Sequence, residues 1–137
     1  MRILFVDDNF DTCEIFRFGL ELAGQQVQTA PGGAEALQLL EQQPFDAMVL
    51  DIDMPVMNGW TTLLKLRQMP QGQDLPVIML TAYFEPNFDS EAVGRGADFY
   101  LRKPIMPDQL LNHIQECVRR RQEPDAAPPS NFFQVSH

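Results

Sequence analysis

The chain is poor in the residues that mark several classes of protein. Its 137 residues include two cysteines, one tryptophan and two histidines, and only 10 Lys and Arg against 19 Asp and Glu. Without a secretory signal, Cys13 and Cys117 are expected to be free, apolar core residues rather than a disulfide. The net charge of −9 argues against direct nucleic-acid binding through clustered basic residues, and suits a domain that binds cations or a basic partner.

Long apolar runs are also absent. No run approaches the roughly 20 residues that span a bilayer, so no membrane contact is expected. The first ten residues are not typical of a signal peptide, because Asp7 and Asp8 interrupt a short apolar run. We therefore expect a cytoplasmic protein. Its length and its 45% of hydrophobic residues are enough for one domain with a single core.

Short apolar segments alternate with helical patterns along the chain. Three of the segments are continuously apolar, which is typical of strands buried on both faces of a parallel sheet. The predicted strands are residues 3–6, 26–29 (the weakest), 47–50, 77–80 and 97–101. The predicted helices are residues 9–24, 33–43, 59–69, 86–94 and 107–121.

Apolar positions on these helices predict the faces that pack on the sheet. We place Ile15, Phe16, Leu20 and Ala23 on the inner side of the first helix, and Leu63, Leu64 and Leu66 on that of the third. Five strands alternating with five helices predict an α/β fold, a (βα)5 doubly wound five-stranded parallel sheet with right-handed crossovers.

The composition changes after Arg121. Residues 122–130 are rich in Pro, Ala and polar residues, so we expect one domain over residues 1–121 and a flexible tail over residues 122–137. The tail carries Phe132, Phe133 and Val135 close together. This cluster leaves two alternatives open: chance aromatics in a disordered end, or a docking element.

Chemically active side chains follow the ends of four predicted strands. They are Asp7 and Asp8, Asp51 with Asp53, Thr81, and Lys103. Ligands bind at the carboxyl ends of strands in open α/β sheets, so we expect these side chains to meet in one crevice. Clustered carboxylates repel one another unless a cation lies among them, and an all-oxygen ligand set favours Mg²⁺. A Lys and a Thr beside them could bind phosphoryl oxygens, and an aspartate there could form an aspartyl-phosphate.

Four stretches together resemble the receiver (response regulator) domain of two-component signalling, a CheY-like member of the flavodoxin-like folds. They are Phe5-Val-Asp-Asp8, Val49-Leu-Asp-Ile-Asp-Met-Pro-Val-Met-Asn-Gly59, Leu80-Thr-Ala82 and Gly96-Ala-Asp-Phe-Tyr-Leu-Arg-Lys-Pro104. The resemblance covers roughly residues 1–121 and implies the strand order 2-1-3-4-5. It also implies a signalling domain rather than a classical enzyme, one that catalyses only its own phosphorylation and dephosphorylation.

The resemblance assigns a role to each site residue. Asp51 becomes the phosphoacceptor, and Thr81 and Lys103 bind the phosphoryl oxygens. Asp8 and Asp51 hold Mg²⁺ through their side chains, Asp7 through a water, and Asp53 through its backbone carbonyl. Thr81 and Tyr100 form the switch, and the Lys103–Pro104 bond is cis.

Partners follow from the same resemblance. The phosphoryl donor is a histidine kinase or a histidine phosphotransfer protein, and the readout face is formed by the fourth predicted helix, the fifth strand and the fifth predicted helix. That face would meet a downstream protein or a second copy, and we expect no output domain in the chain. Two alternatives remain open: a haloacid-dehalogenase-like phosphatase using Asp51-x-Asp53, and a phosphate-independent pseudo-receiver.

Overall fold

Five parallel strands form one sheet in the order 2-1-3-4-5, as predicted. A computed structural model describes residues 1–82 and 94–123. The strands are β1 (Arg2–Val6), β2 (Gln26–Ala30), β3 (Ala47–Asp51), β4 (Val77–Thr81) and β5 (Phe99–Arg102). The weakly patterned β2 lies at one edge, where its first four residues alternate between exposed and half-buried, while β3 and β4 are buried throughout.

Four helices lie in the described part of the chain. They are α1 (Phe10–Leu22), α2 (Gly33–Gln42), α3 (Gly59–Leu66) and α4, the C-terminal helix (Pro107–Gln122). Asn9 and Asn58 cap α1 and α3, because their side chains accept hydrogen bonds from the backbone N–H groups of Thr12 and Thr61. The helix predicted over residues 86–94 falls almost entirely on residues 83–93, which lie outside the described residues.

The core has one layer on each face of the sheet. Phe5 stacks on Phe16 at 4.8 Å between ring centroids, which packs α1 against β1 on one face, and α4 covers the same face. Helices α2 and α3 cover the other face. Cys13 and Cys117 are buried free thiols, as predicted. Burial raises the pKa of Cys13 to about 11, and burial also raises the pKa of Cys117.

Three apolar side chains that we predicted to face inward are exposed instead. Ile15 lies on the solvent side of α1, Leu64 lies on the solvent side of α3, and Ala23 is exposed because it follows the end of α1 as its C-cap. Successive helical residues are about 100° apart. Ile15 therefore cannot share the narrow arc of Cys13, Phe16 and Leu20, and Leu64 points away from the arc of Leu63 and Leu66.

The C-terminal helix ends one residue beyond the predicted domain boundary. Arg121 lies in its last turn and pairs with Asp98, which precedes β5, at 2.6 Å. Glu123 follows the helix as its C-cap. The tail from residue 124 to residue 137 lies outside the described residues.

Candidate functional site

Four neighbouring strands deliver the predicted site residues to one edge of the sheet. Asp7 follows β1, Asp51 is the last residue of β3, Thr81 is the last residue of β4, and Lys103 follows β5. The parallel register aligns these ends, with Asp51 opposite Leu80 and Thr81 opposite Arg102. The topology of the sheet therefore gathers side chains that are up to 96 residues apart in the sequence.

Three carboxylates form a cluster at this edge. Asp7, Asp8 and Asp51 each offer one carboxylate oxygen, and these three oxygens lie within 4.8 Å of one another. Asp7 and Asp51 are buried, whereas Asp8 is exposed. The cluster is thus closed toward the sheet and open toward solvent at Asp8.

Lys103 faces the cluster. Its Nζ lies 2.8 Å from Oδ2 of Asp7 and 3.6 Å from Oδ1 of Asp51. The Lys103–Pro104 bond is cis, as expected. Burial by itself would lower the pKa of Lys103, but the hydrogen bond to Asp7 and the charges of Asp51 and Asp7 outweigh burial and raise that pKa. Lys103 is therefore a permanent cation at the site.

The ionised form of Asp51 is disfavoured at this site. Burial and the nearby charge of Asp7 raise its pKa from 3.8 to about 6, although the charge of Lys103 and the backbone N–H of Asp53 act in the opposite direction. Three carboxylates against one ammonium leave an excess of negative charge, and two of the carboxylates, Asp7 and Asp51, are shielded from water. The site is thus suited to a hard cation held by oxygen ligands.

The loop after β3 is held close to Asp51 by a glycine. A Cβ built on Gly59 would lie 2.4 Å from the backbone oxygen of Asp51, so a side chain here would push α3 away from the site. The Gly59 N–H donates to the carbonyl of Ile52 at 2.9 Å. Within the loop, Val56 has a φ of 69°, a left-handed conformation that is strained for a β-branched residue.

Asp53 lies two residues after Asp51, and Thr81 ends the neighbouring strand β4. The Thr81 hydroxyl, which is buried, donates to Oδ2 of Asp53 at 3.4 Å. The Asp53 side chain is exposed and is not one of the three carboxylates of the cluster. Its assignment as a metal ligand concerns its backbone carbonyl and stays a prediction.

Tyr100 is buried in the middle of β5. Its side chain is 1% exposed and belongs to the core on the face covered by α2 and α3, whereas its neighbours Phe99 and Leu101 face α1 and α4. The aromatic ring that we predicted to switch thus lies inside the fold in this structure.

Two residues that position the site were not assigned that role from the sequence. Asn9, predicted only as a helix cap, also donates its backbone N–H to Oδ1 of Asp7 at 2.9 Å. Cys13 donates its thiol to the carbonyl oxygen of Asp7 at 3.3 Å. The first turn of α1 therefore fixes Asp7, and no sequence pattern distinguishes this role from ordinary capping and packing.

A doubly wound sheet with a carboxylate cluster opposite a lysine that precedes a cis-proline defines a receiver-type signalling domain. The chain belongs to this family, because the model of the response regulator receiver domain matches residues 3–115. Its members are signalling domains of two-component systems rather than classical enzymes.

Several known proteins are similar to this chain. The 14.6 kDa protein in the sodA1 3′ region of Leptolyngbya boryana is 40% identical over 116 residues, which are 85% of this chain and 88% of that protein. The response regulator MprA of Mycobacterium leprae is 39% identical over 127 residues, which are 93% of this chain. The match to MprA covers 55% of that relative, so this chain spans about half of it.

Solved structures share the fold. Chemotaxis protein CheY4 of Vibrio cholerae superposes with a TM-score of 0.79 at 34% identity, covering 83% of this chain and 95% of that chain. A CheY-like receiver domain protein from Methanospirillum hungatei gives a TM-score of 0.81 at 30% identity, covering 90% of this chain and 97% of that chain. Among the described residues, no helix is both long enough and apolar enough to cross a bilayer.

Proposed function

We propose that the chain is a phosphorylation-dependent switch that accepts a phosphoryl group on Asp51 from a histidine kinase or a histidine phosphotransfer protein. The observation that carries the proposal is the position of Asp51. It ends the central strand β3, lies in the three-carboxylate cluster, and has the ammonium of Lys103 3.6 Å from its Oδ1.

In the proposed transfer, Asp51, Lys103 and Thr81 have separate roles. A carboxylate oxygen of Asp51 attacks the phosphorus of the donor, and the bond from phosphorus to the donor nitrogen breaks as the new P–O bond forms. Lys103 neutralises charge on the phosphoryl oxygens, and Thr81 donates its hydroxyl to one of them. Thr81 must exchange its contact with Asp53 to do so.

The carboxylate cluster fits Mg²⁺ as the cation. We assign Asp8 and Asp51 as direct ligands, Asp7 as a ligand through water, and the backbone carbonyl of Asp53 as a further ligand. A bound divalent cation supplies positive charge for the transferring phosphoryl group. The excess negative charge and the raised pKa of Asp51 support this assignment.

Phosphorylation of Asp51 would act on a binding surface through Thr81 and Tyr100. Thr81 moves toward the new phosphoryl group, and Tyr100 responds through its rotamer. The readout face includes β5 and α4, which would meet a downstream protein or a second copy. Phosphorylation-dependent NMR shifts on β5 and α4 that persist unchanged in Tyr100→Ala would exclude Tyr100 from the switch.

We propose that the receiver domain acts in the cytoplasm and binds neither nucleic acid nor membrane itself. The activity of the longer relatives is not transferred to this chain. A phosphatase of the haloacid dehalogenase type finds no support, because both the family match and the upstream pair Asp7 and Asp8 are those of a receiver.

Labelling with a small phosphodonor tests the proposal. The full chain is incubated with acetyl phosphate and Mg²⁺, and intact-mass spectrometry follows the addition of one phosphoryl group. We expect one labile group on the wild type and none on Asp51→Asn. Asp53→Asn is the matched control, since it removes a neighbouring, exposed carboxylate and should leave Asp51 labelled.

Three outcomes would contradict the proposal. Stoichiometric labelling of Asp51→Asn would show that another residue is the phosphoacceptor. Labelling of the wild type in excess chelator would show that the transfer does not require a metal ion. Absence of labelling in a folded wild type, even with a cognate kinase, would favour the phosphate-independent pseudo-receiver.

A further inference from the structure

The first helix has two apolar faces, and only one of them is packed. Cys13, Phe16 and Leu20 face the sheet, whereas Ile15, Phe18 and Leu22 are exposed by 60%, 63% and 73%. These three exposed residues, here named the α1 stripe, follow the spacing i, i+3, i+7 and therefore lie in one row. Nothing in the described ranges 1–82 and 94–123 buries this row.

The α1 stripe stands out from the rest of the surface. Phe10 is also exposed, so four of the seven large exposed hydrophobic residues in the described part of the chain lie on this one helix. Contiguous apolar surface on a soluble domain is typically covered by a partner or by another part of the chain. A surface helix normally presents a polar outer face, so packing within the described domain does not explain the stripe.

The sequence continues beyond the described domain with a matching apolar segment. Phe132, Phe133 and Val135, here named the tail cluster, follow a spacer that contains Pro124, Pro128 and Pro129. Residues 130–137 contain no acidic side chain, whereas α1 carries Asp11, Glu14 and Glu21. In a chain with a net charge of −9, the tail cluster can approach α1 without charge repulsion between side chains.

The spacer starts at the same edge of the sheet as the end of α1. The pairs of Arg121 with Asp98 and Asp74 place the end of α4 at the edge of the sheet where the strands begin. The hydrogen bond from the Met1 amino group to the Gln25 side chain places the end of α1 at the same edge. The nine residues 124–132 reach up to about 30 Å when extended, and packed helices are only about 8–10 Å apart.

The two helices are indeed neighbours. A Cβ built on Gly19 would lie 2.6 Å from the ring of Pro107, so α4 begins directly against α1. The lengths of the two apolar groups also agree. The α1 stripe is about 10 Å long, from seven residues of helix, and the tail cluster spans about 10 Å when extended.

We propose that the tail cluster docks on the α1 stripe of its own chain. A segment tethered by a short linker meets its site at an effective concentration of order millimolar, so weak apolar contacts are enough to hold it there. A second copy has no such advantage at ordinary protein concentrations. The docked tail covers the helix that begins two residues after Asp8, and any partner that binds this face must displace it.

Paramagnetic relaxation in the full chain tests the proposal. A nitroxide is attached to Ser136→Cys, and the buried native thiols Cys13 and Cys117 leave the introduced cysteine as the reactive one. We expect the amide signals of the α1 stripe to lose most of their intensity. The control is Leu64, a similarly exposed leucine on α3 at the opposite face of the sheet, whose signal should persist.

Two variants link the effect to the proposed contact. Phe132→Ser combined with Phe133→Ser in the labelled chain, and Phe18→Ser combined with Leu22→Ser, should each restore the signals of the remaining α1 amides. Leu64→Ser should leave the broadening of α1 unchanged. All substituted positions are exposed or lie in the tail, and a dispersed amide spectrum verifies the fold of each variant.

Other distributions of broadening would overturn the proposal. Equal broadening at α1 and at Leu64 would show an undocked tail. Broadening confined to the cavity near Phe45, Pro76 and Gln122 would place the tail elsewhere. Broadening of an isotope-labelled chain mixed with a separate spin-labelled chain would assign the contact to a second copy. None of these readouts involves phosphorylation, so they are independent of the proposed function.

Discussion

At the residue scale, the site brings like charges together, and Asp51 is the side chain whose pKa this raises most clearly. Asp51 is nearly inaccessible, lies beside the buried Asp7, and has only Lys103 as a nearby cation among the described residues. Because folding places a carboxylate where its ionised form is disfavoured, its pKa rises to about 6. The same arrangement that prepares the site for a cation therefore destabilises the metal-free protein.

We predict that Asp51→Asn stabilises the protein at pH 7 in chelator, by about 1 to 3 kcal/mol. The folded-state pKa of about 6 is above the ordinary 3.8. The stability linked to protonation of Asp51 is therefore fully present below about pH 3.8 and is lost as the pH rises through 6. The gain from Asp51→Asn should shrink toward zero near pH 4, as measured by urea unfolding across this pH range.

Asp108→Asn is the control for loss of one negative charge. Asp108 is exposed in the first turn of α4 and is not part of the cluster, and an acidic residue there interacts favourably with the helix dipole. Asp108→Asn should lower the free energy of unfolding slightly, and this effect should not change between pH 4 and pH 6. Equal stability of Asp51→Asn and the wild type at pH 7 would contradict the electrostatic account of the site.

The identities of the site residues could be predicted from the sequence, but their energetics could not. Carboxylates, a hydroxyl and a lysine after buried strands indicate one crevice, because parallel strands share their carboxyl edge. The depth of Asp51 depends on how distant strands and helices pack around it. The contact of Asn9 with Asp7, two residues away, and the left-handed conformation of Val56 are local, but several backbone conformations fit the same residues there. No local spacing encodes them.

At the element scale, the helices and strands could be predicted well where burial is unambiguous and poorly where a helix has two apolar faces. The continuous runs of β3 and β4 leave one interpretation. In α1, the pattern admits either Ile15 or Cys13 as the partner of Phe16 on the inner face. The structure selects Cys13, because the arc that faces the sheet is narrow.

One arginine joins several elements in a way the sequence did not indicate. Arg67 caps the end of α3, and its guanidinium donates to the carbonyls of Gly72 at 2.7 Å, Leu75 at 2.6 Å and Gly96 at 2.7 Å, and to Oδ1 of Asp98 at 3.0 Å. Its side chain is 16% exposed. It thereby ties α3 to the segments that lead into β4 and β5.

We predict that Arg67→Met lowers the free energy of unfolding by about 3 kcal/mol or more, because it leaves three carbonyls and a half-paired Asp98 without their donor. Arg17→Met is the matched control. Within the described part of the chain, Arg17 pairs only with Glu14 and Glu21 on its own helix and is 38% exposed, so its loss should cost less than about 1 kcal/mol. Urea unfolding followed by circular dichroism measures both, and similar costs for the two variants would show that Arg67 does not join these elements.

At the scale of the whole molecule, charge and binding act on stability together. The net charge of −9 is spread over the chain, so any salt should stabilise the compact state by screening repulsion. The three-carboxylate cluster is local, so a cation bound there should stabilise the fold further by mass action. The two effects can be separated, because ionic strength controls the first and the identity of the cation controls the second.

We predict that MgCl₂ raises the Tm more than NaCl does at the same ionic strength. At a Mg²⁺ concentration ten times its Kd, the added stability is about 1.4 kcal/mol, or a few degrees in Tm for a domain of this size. Asp8→Asn should remove the difference between the two salts while retaining the rise common to both, since Asp8 is exposed and its loss leaves the core intact. Glu35 is an exposed residue in the first turn of α2 and lies outside the cluster, so Glu35→Gln should respond to the two salts as the wild type does. If MgCl₂ and NaCl give equal Tm values at matched ionic strength, the cluster does not bind the metal, and its charge is balanced by Lys103 and solvent alone.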